Sequence, residues 1–237
     1  MCANYRPSSR ELLQQHFQVA PPDSEYSAEA YPVDMVPFIR RPRAELSPGD
    51  RAAALGMFGL VPHWAKEPKK HARYTYNART EKISETPSFR SAWKRGQFCI
   101  IPAASIFEPR YFPIDTGLDL GDGHSKKQKY RKERWEIANT DGAPLAIAGI
   151  WEYKQEGPNG LQLLSFSMLT INADDHPVMN QFHDPADEKR MVVMLRPDQY
   201  DNWLNCPAGE ADDFLQQYLA ELLTAHPAPK VSRAPRT

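Results

Sequence analysis

The sequence predicts an α+β fold with a curved, barrel-like antiparallel β-sheet at its core and short helices on its flanks. Three observations lead there. Apolar runs of strand length recur at short spacing, with short amphipathic segments between them. Twenty-two prolines are scattered without period and interrupt nearly every element, which favours short strands and irregular loops over long helices. No βαβ repeat and no Gly-rich phosphate loop occurs, which sets aside the nucleotide-binding folds. A single domain is expected over residues 1–225, followed by a basic, Pro-rich tail over 226–237.

The elements are justified in order. Residues 9–18 read as a short helix, with Ser8 or Ser9 as N-cap, Leu12, Leu13 and Phe17 as its apolar face, and His16 on the surface. Residues 31–39 form a strand that runs into Arg40, Arg41 and Arg43, a cluster that suits a solvated turn better than a phosphate site. Residues 52–61 are apolar throughout and suit a buried strand. Trp64 follows it, as either a core plug or an exposed stacking face, and residues 66–73 form a basic loop. From Tyr74 the chain starts as a strand and passes into a helix carrying Thr80, Glu81 and Ile83, with Asn77 and Arg79 at the junction.

Residues 87–95 suit a short helix, with Pro87 in its first turn and Gly96 after its end. A buried strand over 97–107 ends at Glu108, where partial burial would raise the carboxyl pKa and suit it to proton transfer. A solvated strand-end Glu is the alternative. The basic stretch Lys126 to Arg134, with Tyr130 inside it, fits a nucleic-acid backbone contact and a solvated hairpin tip equally well. Residues 134–153 read as two strands of a hairpin around Asp141-Gly142, and 161–171 and 191–195 as further strands. A helix starts near Pro197, and an acidic amphipathic helix is expected over 210–223 with Phe214, Leu215, Tyr218, Leu219 and Leu222 inward.

Composition narrows the function classes. With 41% hydrophobic and 25% charged residues, the chain can bury a sizeable core and should be soluble. A net charge of −1 means that any nucleic-acid affinity must come from a local patch. Cys2, Cys99 and Cys206 are odd in number and lack CxxC spacing, which argues against a disulfide framework and a zinc site. His176 and His183, seven apart with Pro177 between them, fit no zinc motif either. No signal peptide and no membrane span is legible, so a cytoplasmic protein is expected, nucleoid-associated if bacterial, without a membrane partner and without a cofactor.

Cys2 carries the chemistry most open to interpretation. If Met1 is removed, Cys2 presents a thiol and a free α-amine on adjacent carbons. Their ordinary pKa values are roughly 8.5 and about 7.7–8.0, so both keep a reactive fraction near neutral pH. Such a 1,2-aminothiol can attack an acyl group, or condense with an aldehyde to a Schiff base and then a thiazolidine. By position alone, an ordinary residue on a frayed terminus is the simpler reading.

Several stretches together move that balance. They are Met1-Cys2, Gly59-Leu60-Val61-Pro62-His63-Trp64-Ala65, Asn77-Ala78-Arg79-Thr80-Glu81, Pro87-Ser88-Phe89-Arg90, Cys99-Ile100-Ile101-Pro102-Ala103 through Glu108, and His183 with Arg190-Met191. In this order they resemble the SOS response-associated peptidase (SRAP) domain proteins, which process abasic sites in DNA. The resemblance covers roughly residues 1–205. The chain departs from the family pattern at Ala3-Asn4, where Gly-Arg is usual, at Phe58 and Pro109, where Trp is usual, at Val192, and in a lengthened His183-to-Arg190 step.

The resemblance implies a covalent thiazolidine crosslink between Cys2 and an abasic site in single-stranded DNA, with self-removal of Met1. It implies His183 as acid/base for the sugar oxygen, Glu108 as acceptor of the α-ammonium proton, and Asn77 as a positioning amide. Arg79 and Arg190 would bind the flanking phosphates and Trp64 would stack on a base. The partner would be single-stranded DNA holding the lesion, and the protein a monomer. Two other readings remain open: a thiol or N-terminal-nucleophile hydrolase acting on peptides, and a non-catalytic single-stranded DNA-binding module.

Overall fold

A computed structural model describes residues 2–41, 50–114, 129–156 and 161–230. Met1, Arg43, the start of the basic stretch at Lys126, Lys127 and Gln128, and tail residues 231–237 lie outside the described residues. The strands are β1 (Tyr5–Pro7), β2 (Met35–Arg40), β3 (Ala52–Phe58), β4 (Asn77–Arg79), β5 (Phe98–Pro113), β6 (Tyr130–Asn139), β7 (Leu145–Glu156), β8 (Leu161–Asn172), β9 (Arg190–Val192), β10 (Met194–Leu195) and β11 (Leu223–Pro227). The helices are α1 (Arg10–Phe17), α2 (Pro68–Ala72), α3 (Arg90–Lys94) and α4 (Tyr200–Asn205).

The strands form one sheet that closes on itself. β7, β8, β3, β2 and β5 follow one another as hydrogen-bonded neighbours, and β5 returns to pair with β7. The core is therefore a closed barrel with extra strands on its rim and short helices around it, as the strand spacing predicts. Closure removes sheet edges that would otherwise present unpaired backbone groups. The expected antiparallel order holds except on β8, which pairs parallel with β3 and with β4. Aromatic rings fill the interior: Phe58 stacks on Phe166 with centroids 5.6 Å apart, and Tyr5 meets Phe58 edge-on at 5.3 Å.

β5 organises the molecule. It runs sixteen residues and continues past Glu108 to Pro113, so Glu108 lies inside a strand and not at its end. β1 pairs with one edge of β5 through Tyr5↔Ile106 and Pro7↔Ala103. Ile106 also pairs with Ile137 of β6, and Ala103 with Leu145 of β7, so both of those strands lie on the opposite edge. β6 and β7 thus run in line along β5, and the expected hairpin around Asp141-Gly142 is not one. The turn chemistry is real but local. Asn139 Nδ2 donates to the Ala143 carbonyl at 3.0 Å and Ala143 N–H to Asp141 Oδ1 at 2.9 Å, which closes a small excursion while strand direction is kept.

Other local readings meet the structure unevenly. Ser9 caps α1 by accepting from Leu12 N–H at 3.3 Å, and Leu13 and Phe17 are buried. The basic loop holds the single turn α2, started by Pro68. The strand expected from Tyr74 begins at Asn77, and a 3₁₀ turn over Thr80–Lys82 follows it. The helix expected over 210–223 does not form; 3₁₀ turns at Ala208–Phe214 and Ala220–Leu222 flank extended chain, and β11 follows. Glu210, Asp212 and Asp213 are weak helix formers or crowd like charge there, and Tyr218 spends its carbonyl on His176 Nε2–H at 2.9 Å. β11 pairs with β6 across the expected domain boundary at 225/226.

Candidate active site

The site is built where β1, β4, β5 and the turn before β9 meet. The register Tyr5↔Ile106 lays the chain's first residues along β5, and Phe107 N–H donates to the Asn4 carbonyl at 2.9 Å. That places Cys2 against the Glu108 stretch of β5. Cys2 is only 1% exposed. Its thiol donates to the Asn4 carbonyl at 3.5 Å. Burial pushes the Cys2 thiol well above its ordinary pKa, and the Glu108 carboxylate pushes it further. The resting sulfur is therefore a protonated thiol beside a carboxylate.

β4 supplies Asn77. Parallel pairing with β8, Asn77 opposite Met168, fixes the strand. Asn77 Nδ2 donates to the Cys2 carbonyl at 2.8 Å and holds the backbone of the terminal residue. Its Oδ1 is buried without a hydrogen-bond partner among the described residues, and so is Glu108 Oε2. Orphaned buried acceptors cost about 1–3 kcal/mol each. The Asn77 amide lies against the Cys2 backbone, and Glu108 Oε2 lies 3.4 Å from His183 Nδ1.

His183 comes from the turn after Met179–Gln181, and the end of β5 pins it. Its N–H donates to the Pro109 carbonyl at 2.8 Å, and Arg110 bridges Phe182. The residue sits at φ 67°, a left-handed conformation that a non-glycine residue holds only when its surroundings impose it. Nδ1 lies 3.4 Å from Glu108 Oε2 and Nε2 lies 3.1 Å from the Arg190 carbonyl. A carbonyl can only accept, so Nε2 carries the hydrogen in the neutral ring, an assignment from bonding alone. Nδ1 and Glu108 Oε2 then face each other as two acceptors. Burial lowers the His183 pKa, partly offset by Glu108, so the ring is neutral near pH 7.

The four residues expected to do the chemistry, Cys2, Asn77, Glu108 and His183, thus share one buried neighbourhood. The three expected DNA contacts fare differently. Trp64 is 49% exposed and meets His71 edge-on at 5.1 Å, with Tyr74 exposed beside it along a groove of about 450 Å³. It is an exposed face and not a core plug. Arg79 is half-exposed and pairs with Glu188 at 2.9 Å. Arg190 is only 2% exposed, and its guanidinium bonds Glu81 twice at 2.9 Å, Glu188 at 2.8 Å and the Thr170 carbonyl at 2.6 Å. Its Nε is buried without a hydrogen-bond partner among the described residues. Glu188, one of those partners, lies in the lengthened step between His183 and Arg190, whose spacing was legible in sequence and whose partner was not.

Two residues escape the sequence reading. The Tyr76 phenol is pushed up by burial, then by Cys2 and Glu108, which places it in the same electrostatic neighbourhood. Arg134 donates through Nε and Nη2 to Asn4 Oδ1 at 3.2 and 2.9 Å. Its only sequence signal was membership of a basic run. His176 is structural: Nδ1 accepts from Val178 and Met179 N–H at 3.1 and 3.0 Å. Among the described residues no cluster of His, Cys, Asp or Glu could hold a metal ion, and no helix is long and apolar enough to cross a membrane.

Comparison with known proteins follows the same lines. The family model described as SOS response associated peptidase (SRAP) matches residues 1–233. The abasic site processing protein YoqW of Bacillus subtilis is 31% identical over 162 residues, covering 68% of this chain and 61% of that protein. The abasic site processing protein HMCES of Xenopus tropicalis is 27% identical over 198 residues, covering 77% of this chain and 54% of that protein. The chain therefore spans little more than half the length of these relatives. A crystal structure of a Bordetella bronchiseptica protein superposes with a TM-score of 0.80 at 35% identity, covering 97% of this chain and 100% of that one.

Proposed function

Because the chain belongs to the SRAP family, we propose that it processes abasic sites in single-stranded DNA by forming a thiazolidine between Cys2 and the lesion. The observation that carries this reading is the convergence of Cys2, Asn77, Glu108 and His183, from four separate segments, on one buried spot. Removal of Met1 frees the Cys2 α-amine. Glu108 takes a proton from the α-ammonium, and the amine nitrogen attacks C1′ of the ring-opened sugar. The proton that Glu108 took passes through His183 to the departing hydroxyl, water leaves an iminium, and the iminium nitrogen returns its proton to His183 to give the imine. The thiol adds across the C=N bond, sulfur to C1′ and proton to nitrogen, and the five-membered ring closes.

The arrangement suits this order. The amine is the first nucleophile in this order, and the buried thiol on the adjacent carbon is placed to close the ring. Once the imine forms, sulfur attacks within the same residue, and intramolecularity supplies several kcal/mol of the barrier. Glu108 and His183 are also the groups that would serve hydrolysis of the Met1–Cys2 bond. Asn77 would keep the reacting residue in register, Trp64 would stack on a neighbouring base and Arg79 would meet a phosphate.

The test is a denaturing gel after mixing the protein with single-stranded DNA holding one abasic site. A slow band that needs both Cys2 and the lesion is expected, with Cys2→Ala protein and undamaged DNA giving none. Intact mass must show Met1 absent. A wild-type protein lacking Met1 that gives no band sinks the proposal.

A further inference from the structure

Beside Cys2 lies a groove of about 470 Å³ that the chemistry above leaves unused. Its floor is Ala3, Asn4 and Phe107, and Glu108 opens into it, so it is continuous with the reacting site. Its walls bring Lys132 from β6, and Tyr31 and Lys230 from the two ends of the chain. β11 delivers Lys230. Ala228 N–H donates to the Arg134 carbonyl at 2.9 Å and the Arg134 guanidinium returns a bond to the Ala228 carbonyl at 3.0 Å, which staples the C-terminal segment to β6.

The charges in the groove are unequal in availability. Arg134 lies flat on Phe107 at 3.4 Å and is spent on Asn4, Glu29 and Ala228. Glu29 is neutralised by Arg134 at 2.6 Å and Glu133 by Arg131 at 2.8 Å. Lys132 and Lys230 are exposed and form no ion pair among the described residues. Their ammonium groups sit 5.7 Å over Tyr111 and 4.7 Å over Tyr31, so each cation is paired with an aromatic face. Two exposed cations that form no ion pair among the described residues, and the partly exposed ring of Tyr31, lie beside Cys2 and match one ligand chemistry: a phosphodiester with its base.

We propose that this groove is the binding subsite for a nucleotide flanking the lesion, with Lys132 and Lys230 on its phosphates and Tyr31 against its base. The assignment rests on the reading of single-stranded DNA as substrate. It gives the C-terminal segment a direct part in binding. It also accounts for Asn4: position 4 carries no cation of its own, and its side chain instead anchors Arg134, which shapes the groove floor.

The test measures binding of undamaged, fluorescein-labelled single-stranded DNA by anisotropy across a salt series, so it needs no crosslink. Wild type, Lys132→Ala/Lys230→Ala and Lys94→Ala are compared, the last removing an exposed lysine of α3 outside the groove. Thermal melts confirm that all three are folded. The double variant should bind about tenfold more weakly, with the slope of log affinity against log salt reduced by about 1.4, the contribution of two single-strand phosphate contacts. Lys94→Ala should match wild type. An unchanged affinity and slope in the double variant overturns the proposal, as does a wild type that binds no DNA. A wild type that never crosslinks to abasic DNA, while the double variant still loses affinity, overturns the thiazolidine chemistry and leaves the groove standing.

Discussion

In the proposed chemistry Cys2 acts through two groups with different jobs, and they can be separated. Cys2→Ser keeps the α-amine and removes the sulfur. On abasic single-stranded DNA it should give an imine that borohydride traps and that is lost on denaturation without it. A denaturation-resistant product from the serine variant in the absence of borohydride would show that sulfur is dispensable. Glu108 and His183 illustrate why a residue's role is not its type. Either one alone in water is an ordinary acid or base; buried 3.4 Å apart, with Nε2 already committed to a backbone carbonyl, they face each other as two acceptors.

At the scale of elements, the loop between β3 and β4 carries the exposed Trp64 and delivers Asn77, and its geometry begins at Gly59. That residue has φ 121°, and a Cβ there would lie 2.2 Å from the Ala72 carbonyl oxygen of α2. Gly59→Ala therefore meets both a forbidden dihedral and a backbone clash. A loss of at least about 2 kcal/mol is expected, read as a lower denaturant midpoint with unchanged slope. A wild-type midpoint would mean that the loop can move away at no cost, and that α2 is not fixed to β3. β5 shows the opposite kind of element, one whose length is its function: its first half closes the barrel and its second half, from Ile106 to Pro113, carries Glu108 and pins His183.

The whole molecule should report on its buried site through pH. The folded-state pKa of His183 lies below its unfolded value of about 6.5, because burial disfavours the charged ring. The unfolded chain thus binds the proton first. The stability contributed by the neutral ring is complete above about pH 6.5 and is lost as pH falls through the depressed folded value. Glu188, held low by hydrogen bonds from Arg190, and Glu81, whose hydrogen bonds to Arg190 outweigh its burial, act in a lower window. Their contribution is present above about pH 4.5 and disappears below it. Melting temperature against pH should show an acid-side decline starting near pH 6.5, to which His71, whose pKa burial also lowers, contributes, and His183→Gln should shrink its first part while leaving the lower limb. A variant that keeps the wild-type decline would place the titrating group elsewhere.

Much of this molecule was determined by the sequence itself. Strand periodicity dictated a curved sheet, Ser9 and the Leu13–Phe17 spacing dictated α1, and the ordered motifs from Cys2 to His183 nominated the candidate site residues; scattered proline did not keep the strands short, since β5 runs sixteen residues and β7 and β8 twelve each. These are properties of local chemistry, set by a few neighbouring side chains. Only the tertiary structure decided the rest. Asp141-Gly142 looked like a hairpin because turn residues report the turn and not the strand partners, which are chosen by the far side of the barrel. The ring of partners around Arg190 is of the same kind, because a sequence does not show which carboxylates will surround a guanidinium after folding. Lys230 and Tyr31 lie about two hundred residues apart and share a groove because β11 pairs with β6 and β1 with β5. Such long-range pairing is settled by burial of the whole core, which no single stretch of the chain encodes.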